Sequence, residues 1–199
     1  MIENGQIKRL LKLIALNNDE NAYKELFVLF YNNLKQFANS ILKSKEEAEE
    51  VVSDLFIRIW QKREQLANIE YPRLYLYSST KNLALSRLTK KKKDFNSSPE
   101  DWLITLHSIY FDPEKLMVST EIFQEIKRAI NSLPARCRLI FKLVKEDGLK
   151  YKEVADLLDI SIKTVEAQMA IALRRLGKSI KIKTAEPLKN FSYKKVKST

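Results

Sequence analysis

The sequence predicts an all-α protein: two small helical domains joined by a linker, the second carrying a helix-turn-helix. Apolar residues recur every three or four positions in successive segments, the period of a helix with one buried face. Turn formers are scarce, with 3 Gly and 5 Pro in 199 residues. The pattern lapses once, over a stretch carrying Ser97-Ser98-Pro99 and Asp112-Pro113, and then resumes. The bounds that follow are 1–93 for the first domain, 94–120 for the linker and 121–178 for the second domain. A lysine-rich tail, 179–199, is expected to be disordered.

A formal net charge of +11 calls for a polyanionic partner, either nucleic acid or an anionic membrane surface. The single cysteine, Cys137, lies in an apolar helical stretch, so no disulfide framework or zinc cluster forms within one chain. That fits a reducing cytoplasm. The opening apolar run is too short and too charged for a signal peptide, and no stretch has transmembrane length. His107, the one histidine, has no cysteine or carboxylate pattern near it and reads as a packing or surface residue. No metal site, cofactor or catalytic group is expected, nor any small-molecule substrate.

In chain order, Ile7 to Leu16 reads as a basic amphipathic helix, and Asp19 or Asn21 as the cap of the next, Ala22 to Leu42. That second helix lines up Leu26, Phe27, Phe30, Leu34, Phe37, Ala38 and Ile41 along one face. Ser44 with Glu47 three residues on is the start of a capping box for a helix running to Gln65. Its buried stripe is Val51, Val52, Leu55, Phe56, Ile59 and Trp60, and its other face shows Glu50, Ser53, Asp54 and Arg58. An acidic patch on a rigid helix of a basic protein suits protein docking; ordinary capping and solvation explain it equally well. Arg73 to Lys93 follows, where Tyr75, Tyr77, Lys81, Asn82, Ser86 and Arg87 interleave rings, an amide and cations. Single-stranded nucleic acid needs that mixture, because bases stack on rings while cations track the backbone. The run Lys90 to Lys93 adds charge, though cations also suit any helix C-terminus.

Within the linker, Trp102, Leu103, Leu106, Ile109, Tyr110 and Phe111 make it too aromatic for a bare tether, so these side chains are expected to pack on a domain or partner. Helices at Glu121 to Ser132 and Ala135 to Lys145 come next, the latter stopped by Asp147-Gly148. Tyr151 to Leu176 then shows two short periodic runs, Val154-Leu157-Leu158 and Val165-Met169-Ala172-Leu176, with Ser161 and Thr164 competing to cap the second. Gly177 is expected to loosen its end. Such a pair occurs in many small bundles. The outer face of the second run separates the readings: Lys163, Thr164, Glu166, Ala167, Gln168, Ala170, Ile171, Arg174 and Arg175. Small residues there admit a close backbone approach, polar ones reach base edges and arginines suit phosphates.

These motifs, in this order, resemble a bacterial sigma factor of the extracytoplasmic-function class. DENAYKELFVLFYNNLKQFA resembles the family's opening helix, and EEAEEVVSDLFIRIWQKRE its core-polymerase-binding helix. YLYSSTKNLALSRL resembles the segment that melts and reads the downstream promoter element. LPARCRLIFKLVKEDGLKYKEVADLLDISIKTVEAQMAIALRRL resembles the domain that reads the upstream one. The resemblance implies that Glu50, Ser53 and Asp54 contact the polymerase clamp helices, Ser53 departing from a more usual acid or amide. It places Asn82 near a pocket for a flipped base, flanked by Lys81, Ser86 and Arg87, with Ser86 standing where Asp or Asn is more usual. Glu166, Ala167, Ala170 and Ile171 match base-facing positions, and Glu166 can accept from a cytosine amino group. This recognition face is less cationic than in some relatives, so DNA shape is expected to matter alongside direct readout. The implied partners are core RNA polymerase, promoter DNA and an anti-sigma factor, commonly membrane-tethered.

Three rival readings remain at the level of sequence. A stand-alone helix-turn-helix regulator would share the second domain but would not need the acidic helix or the aromatic-cationic one. A peripheral membrane protein would use the basic first helix and the lysine-rich tail. An enzyme would need a nucleophile beside a base, and Cys137 and His107 lie in unrelated segments.

Overall fold

A computed structural model of the chain describes residues 3–92 and 128–179. The expected linker at 94–120, most of the helix expected at Glu121 to Ser132, and the tail beyond Ser179 lie outside the described residues. So do the linker aromatics and His107. The described residues form helices and turns, with no strand among them.

The first group of helices comprises α1 (Asn4–Asn17), α2 (Glu20–Leu42), α3 (Lys45–Gln61) and α4 (Pro72–Lys92), with a 3-10 segment, Arg63–Asn68, between α3 and α4. Helix α1 buries Ile7, Leu10, Leu11 and Ile14 and stops at Asn18, whose left-handed φ of 51° suits an asparagine. Asp19 is the cap of α2: its carboxylate accepts from the N–H groups of Asn21 (2.9 Å) and Ala22 (3.0 Å). The stripe from Ala22 to Ile41 then packs into the core. At α3, Ser44 Oγ accepts from the Glu47 N–H at 3.3 Å. Tyr23 and Phe27 of α2 meet Phe56 edge-on, with centroids 6.1 and 4.8 Å apart, and the Tyr23 hydroxyl donates to the Phe56 carbonyl.

Helix α3 ends at Gln61, short of the expected Gln65. The chain tightens into the 3-10 segment because Arg63 turns back, donating to the Trp60 carbonyl at 3.0 Å with its guanidinium 5.0 Å over the Trp60 ring. That tightening points Leu66 into the core, where α1 packs against the segment. Pro72 opens α4 at the first helical position, where its missing N–H has no intrahelical partner to lose.

The second group is a helical turn at 128–131, α5 (Ala135–Lys145), α6 (Tyr151–Leu158) and α7 (Ile162–Ser179). Gly148 takes φ 72° where α5 ends, a conformation that glycine adopts without steric cost. Glu153 accepts from the Lys150 N–H at 2.7 Å, and α6 buries Val154, Ala155, Leu157 and Leu158. Asp159 terminates it at φ 53°. Ser161, rather than Thr164, caps α7: its Oγ accepts from the Thr164 N–H at 3.1 Å. Val165, Met169, Ala172 and Leu176 face inward, and the Cys137 thiol of α5 donates to the Gln168 carbonyl. Gly177 does not end α7, which continues to Ser179; a Cβ at that position would meet nothing within 4 Å.

The two groups meet along a seam. Asn33 of α2 donates to the Asp147 carboxylate at 2.9 Å, and Arg73 of α4 donates to the Asp147 carbonyl. Lys81 of α4 donates to the Leu157 carbonyl at 2.9 Å and pairs with Asp159 at 2.7 Å. Burial pushes the Asp147 carboxyl up to about 7; Glu146 adds to the rise, while Tyr77, Lys142 and Arg73 oppose it. An unfolded aspartate titrates near 4, so the folded state holds an extra proton between about pH 4 and 7. The stability this gives is fully present below that window and is lost as pH rises through 7. Denaturant unfolding followed from about pH 5 to 8 is expected to show falling stability for the native chain and a flatter profile for Asp147→Asn, which cannot titrate. Equal slopes would contradict the burial of that carboxyl.

Candidate nucleic-acid and polymerase interface

The helix-turn-helix leaves one side of α7 uncovered. Lys163, Glu166, Ala167, Ala170, Arg174 and Arg175 are exposed, while Thr164, Gln168 and Ile171 are half-buried at its margins. The inward set recurs at steps of four, three and four, so the outward set forms a continuous strip rather than scattered points. Its small central residues, Ala167 and Ala170, keep the helix axis free to approach a partner. Lys163 near one end and Arg174 and Arg175 near the other bracket them with charge, and Glu166 is the only acid among these positions. Two of the half-buried residues have structural duties. The Thr164 hydroxyl lies 2.9 Å from the Ser161 hydroxyl at the cap, and Ile171 packs on the core edge.

On α3, Glu50, Ser53 and Asp54 are all exposed on one face. Their chemistry is less uniform than the sequence pattern implies. Glu50 is already paired with Arg87 of α4, and the Ser53 hydroxyl donates to the Glu49 carbonyl one turn back at 2.9 Å. A partner would therefore meet Asp54 as an open carboxylate and Glu50 as one that must exchange an ion pair. Glu50 is exposed and Arg87 half-buried, so that exchange costs little on the Glu50 side. Lower on the same helix Ile57 is more than half exposed and, with Tyr23 and Trp60, lines an open apolar groove between α2 and α3.

The candidates on α4 divide between two sides of the helix. Tyr75, Asn82 and Ser86 line a cavity of about 290 Å³ between α3 and α4, floored by Leu55, Ile59 and Leu83. Tyr77 and Lys81 face the seam instead. Tyr77 corrects the expectation of a ring offered to bases: it is 0% exposed and packs on Phe37 with centroids 5.1 Å apart. Burial, chiefly, raises its hydroxyl well above the usual tyrosine value. Residues two apart on a helix point about 200° from one another, so Tyr75 and Tyr77 cannot serve one surface. Lys81 has a side chain only 13% exposed, held by the end of α6. Arg87 is half-buried against Glu50.

Sequence reasoning grouped Arg58 with the acidic face of α3 and passed over Lys62, which follows the helix; both line this cavity. Their four-residue spacing puts both cations on one helical face beside the polar rim formed by Tyr75, Asn82 and Ser86, and that spacing was readable in the sequence. A ring, an amide and two cations around an apolar floor make a surface that can stack an unpaired base and hold its phosphates. Replacing Arg58 and Lys62 by alanine is expected to flatten the salt dependence of single-strand binding, by about 0.7 log units for each phosphate no longer neutralised. An unchanged slope in a fluorescence-anisotropy salt titration would show that these cations do not track the backbone.

Comparison with known proteins matches both groups of helices. The family model described as sigma-70 region 2 matches residues 26–94, which span most of α2 and all of α3 and α4. The model described as sigma-70 region 4 matches residues 123–176, which include α5, α6 and most of α7. Together they cover well over half of the chain. The chain is 25% identical over 182 residues to the ECF RNA polymerase sigma factor SigW of Bacillus subtilis, covering 88% of this chain and 97% of the relative. It is 26% identical over 161 residues to the ECF RNA polymerase sigma-E factor of Escherichia coli, covering 76% and 82%. Among solved structures, the sigma factor RpoE from Bartonella quintana, determined in complex with the anti-sigma factor NepR, shares the fold. Its TM-score is 0.50 at 22% identity, over 81% of this chain and 98% of that one. With both sigma-70 regions matched in order on one chain, the protein belongs to the sigma-70 family, in its extracytoplasmic-function class.

Proposed function

We propose that the chain works as a sigma factor by dividing labour among three leftover faces of its helices. The outward face of α3, centred on Glu50, Ser53 and Asp54, docks on core RNA polymerase. The cavity between α3 and α4, with Tyr75, Asn82 and Ser86 joined by Arg58 and Lys62, receives an unpaired base of the downstream promoter element. The exposed strip of α7 from Lys163 to Arg175 reads duplex DNA upstream. Polymerase supplies the chemistry and this chain supplies the choice of start site, with no catalytic step of its own. Such work places it in the cytoplasm; no described helix is long and apolar enough to cross a membrane.

The observation that carries this reading is the coexistence on one chain of an uncovered recognition helix and a polar-rimmed cavity beside an acidic face. A stand-alone regulator needs only the first. Flipping a base costs a few kcal/mol, which stacking and hydrogen bonds in the cavity can return. Two modest DNA contacts delivered by one polymerase-bound chain reinforce each other through effective concentration. By analogy with the neighbour solved with an anti-sigma factor, a protein inhibitor of this class is a further expected partner.

Reversing charge at Glu50 and Asp54 to lysine is expected to reduce co-purification with core polymerase by about tenfold or more, a loss on the order of 1.4 kcal/mol. Circular dichroism should stay unchanged, because both side chains are exposed. Retained co-purification would count against the docking face. Asn82→Ala is expected to lower open-complex formation by about tenfold, the scale of one hydrogen-bonded base, while duplex binding through α7 persists. Permanganate footprinting beside duplex mobility shifts separates the two; equal losses would move Asn82 out of the base-capture role.

A further inference from the structure

The positive charge of this chain is gathered at one end. From Arg174 onward the sequence holds nine Lys and Arg and a single acid, Glu186, so this stretch supplies +8 of the formal net charge of +11. The exposed strip of α7 is polarised in the same sense. At about 100° per residue, Lys163, Arg174 and Lys178 fall within about 60° of one another around the helix, with Ala167 between them. Ile162, Glu166 and Leu173 fall together on the other edge, so the acid of the strip leaves the cationic edge uninterrupted. Among the described residues, Lys163, Arg174 and Lys178 pair with no carboxylate. Arg174 and Lys178 also lie about 4.5 and 10.5 Å beyond Ile171 along the helix axis, past the last of the base-facing positions.

We propose that the cationic edge of α7, continued by the lysines of residues 180–199, is a second and sequence-independent contact with duplex DNA, made on phosphates that flank the upstream promoter element. It rests on the proposed reading of α7 as the duplex-reading helix. Lys181 and Lys183 follow α7 directly, and Lys189, Lys194, Lys195 and Lys197 come after them, outside the described residues. Extended chain advances about 3.3 Å per residue, so Lys197 is within about 59 Å of Ser179, more than one helical turn of DNA at about 34 Å. Such cations need no base edge: each phosphate they neutralise releases counterions, which adds affinity without sequence preference. Choice of site then stays with α7, and the lysines hold what it has chosen. The rival polyanion, an anionic membrane, is disfavoured by α1. Stable anchoring by a polybasic stretch takes a second, apolar element. The stripe of α1 that would supply it, Ile7, Leu10, Leu11 and Ile14, is buried in the core.

Holoenzyme assembled from core polymerase and the full chain, on a promoter fragment that it transcribes, provides the test. The variant replaces Lys181, Lys183, Lys189, Lys194, Lys195 and Lys197 by glutamine; none of them belongs to a described helix. The slope of log affinity against log salt is expected to be shallower in the variant by about 1.8 or more, two phosphates at about 0.9 each. On a second fragment, whose phosphates flanking the upstream element are neutral methylphosphonates, native and variant slopes should coincide. The ratio of affinities for the promoter and for a scrambled duplex should be the same in both proteins. An unchanged slope on the first fragment, an equal loss on both fragments, or a fall in that ratio would each overturn the proposal. Sedimentation with phosphatidylglycerol vesicles that needs these lysines, beside an unchanged DNA slope, would assign them to a membrane instead. Native holoenzyme with no preference for the promoter would count against the reading of α7. Preference retained with an unchanged slope would remove only the flanking contact.

Discussion

The shortest of the described helices are not stable objects by themselves, and that constraint shapes everything else. Helix α6 has 8 residues and α5 has 11, below the roughly 12–15 at which even favourable isolated helices become marginal in water. Each must press one side against neighbours, as Val154, Leu157 and Leu158 do against the inward set of α7. The opposite side is then left over, and it is the leftover sides that are available for partners. The recognition strip of α7, the acidic face of α3 and the rim of the α3–α4 cavity are the complements of three buried stripes. Fold and function are two readings of one periodicity.

Much of this was legible in the amino-acid order because that period survives tertiary context. The stripes of α2 and α3, the extent of α5 and the inward set of α7 all follow from counting threes and fours. Caps were legible as pairs of candidates, Asp19 against Asn21 and Ser161 against Thr164. Geometry selected Asp19 and Ser161, each of which reaches the N–H of its own first helical turn. What sequence could not supply was contact between segments far apart. The early end of α3 depends on Arg63 meeting the Trp60 ring, and the burial of Tyr77 depends on Phe37 and on the distant loop that carries Asp147. Composition alone counted Tyr77 among the DNA-facing aromatics; helical angle would already have separated it from Tyr75. The same angular argument, applied to α3, brings Arg58 and Lys62 to the cavity.

The seam combines the packing of the cores with polar bridges. Apolar packing fixes each helical group and continues across the seam, where Phe37 lies with Leu139 and Leu143, and Asn33, Arg73, Lys81 and Lys142 add hydrogen bonds and charge between the groups. The buried Asp147 carboxyl sits where the two groups meet.

The central claim, that this chain lends start-site choice to a separate polymerase, is tested most directly by single-round transcription on genomic fragments with core polymerase, with and without the protein. The account predicts discrete transcripts from a small set of fragments only when the protein is present. Identical transcripts in both reactions, or tight sequence-specific binding by the free protein with no transcript at the bound sites, would contradict it.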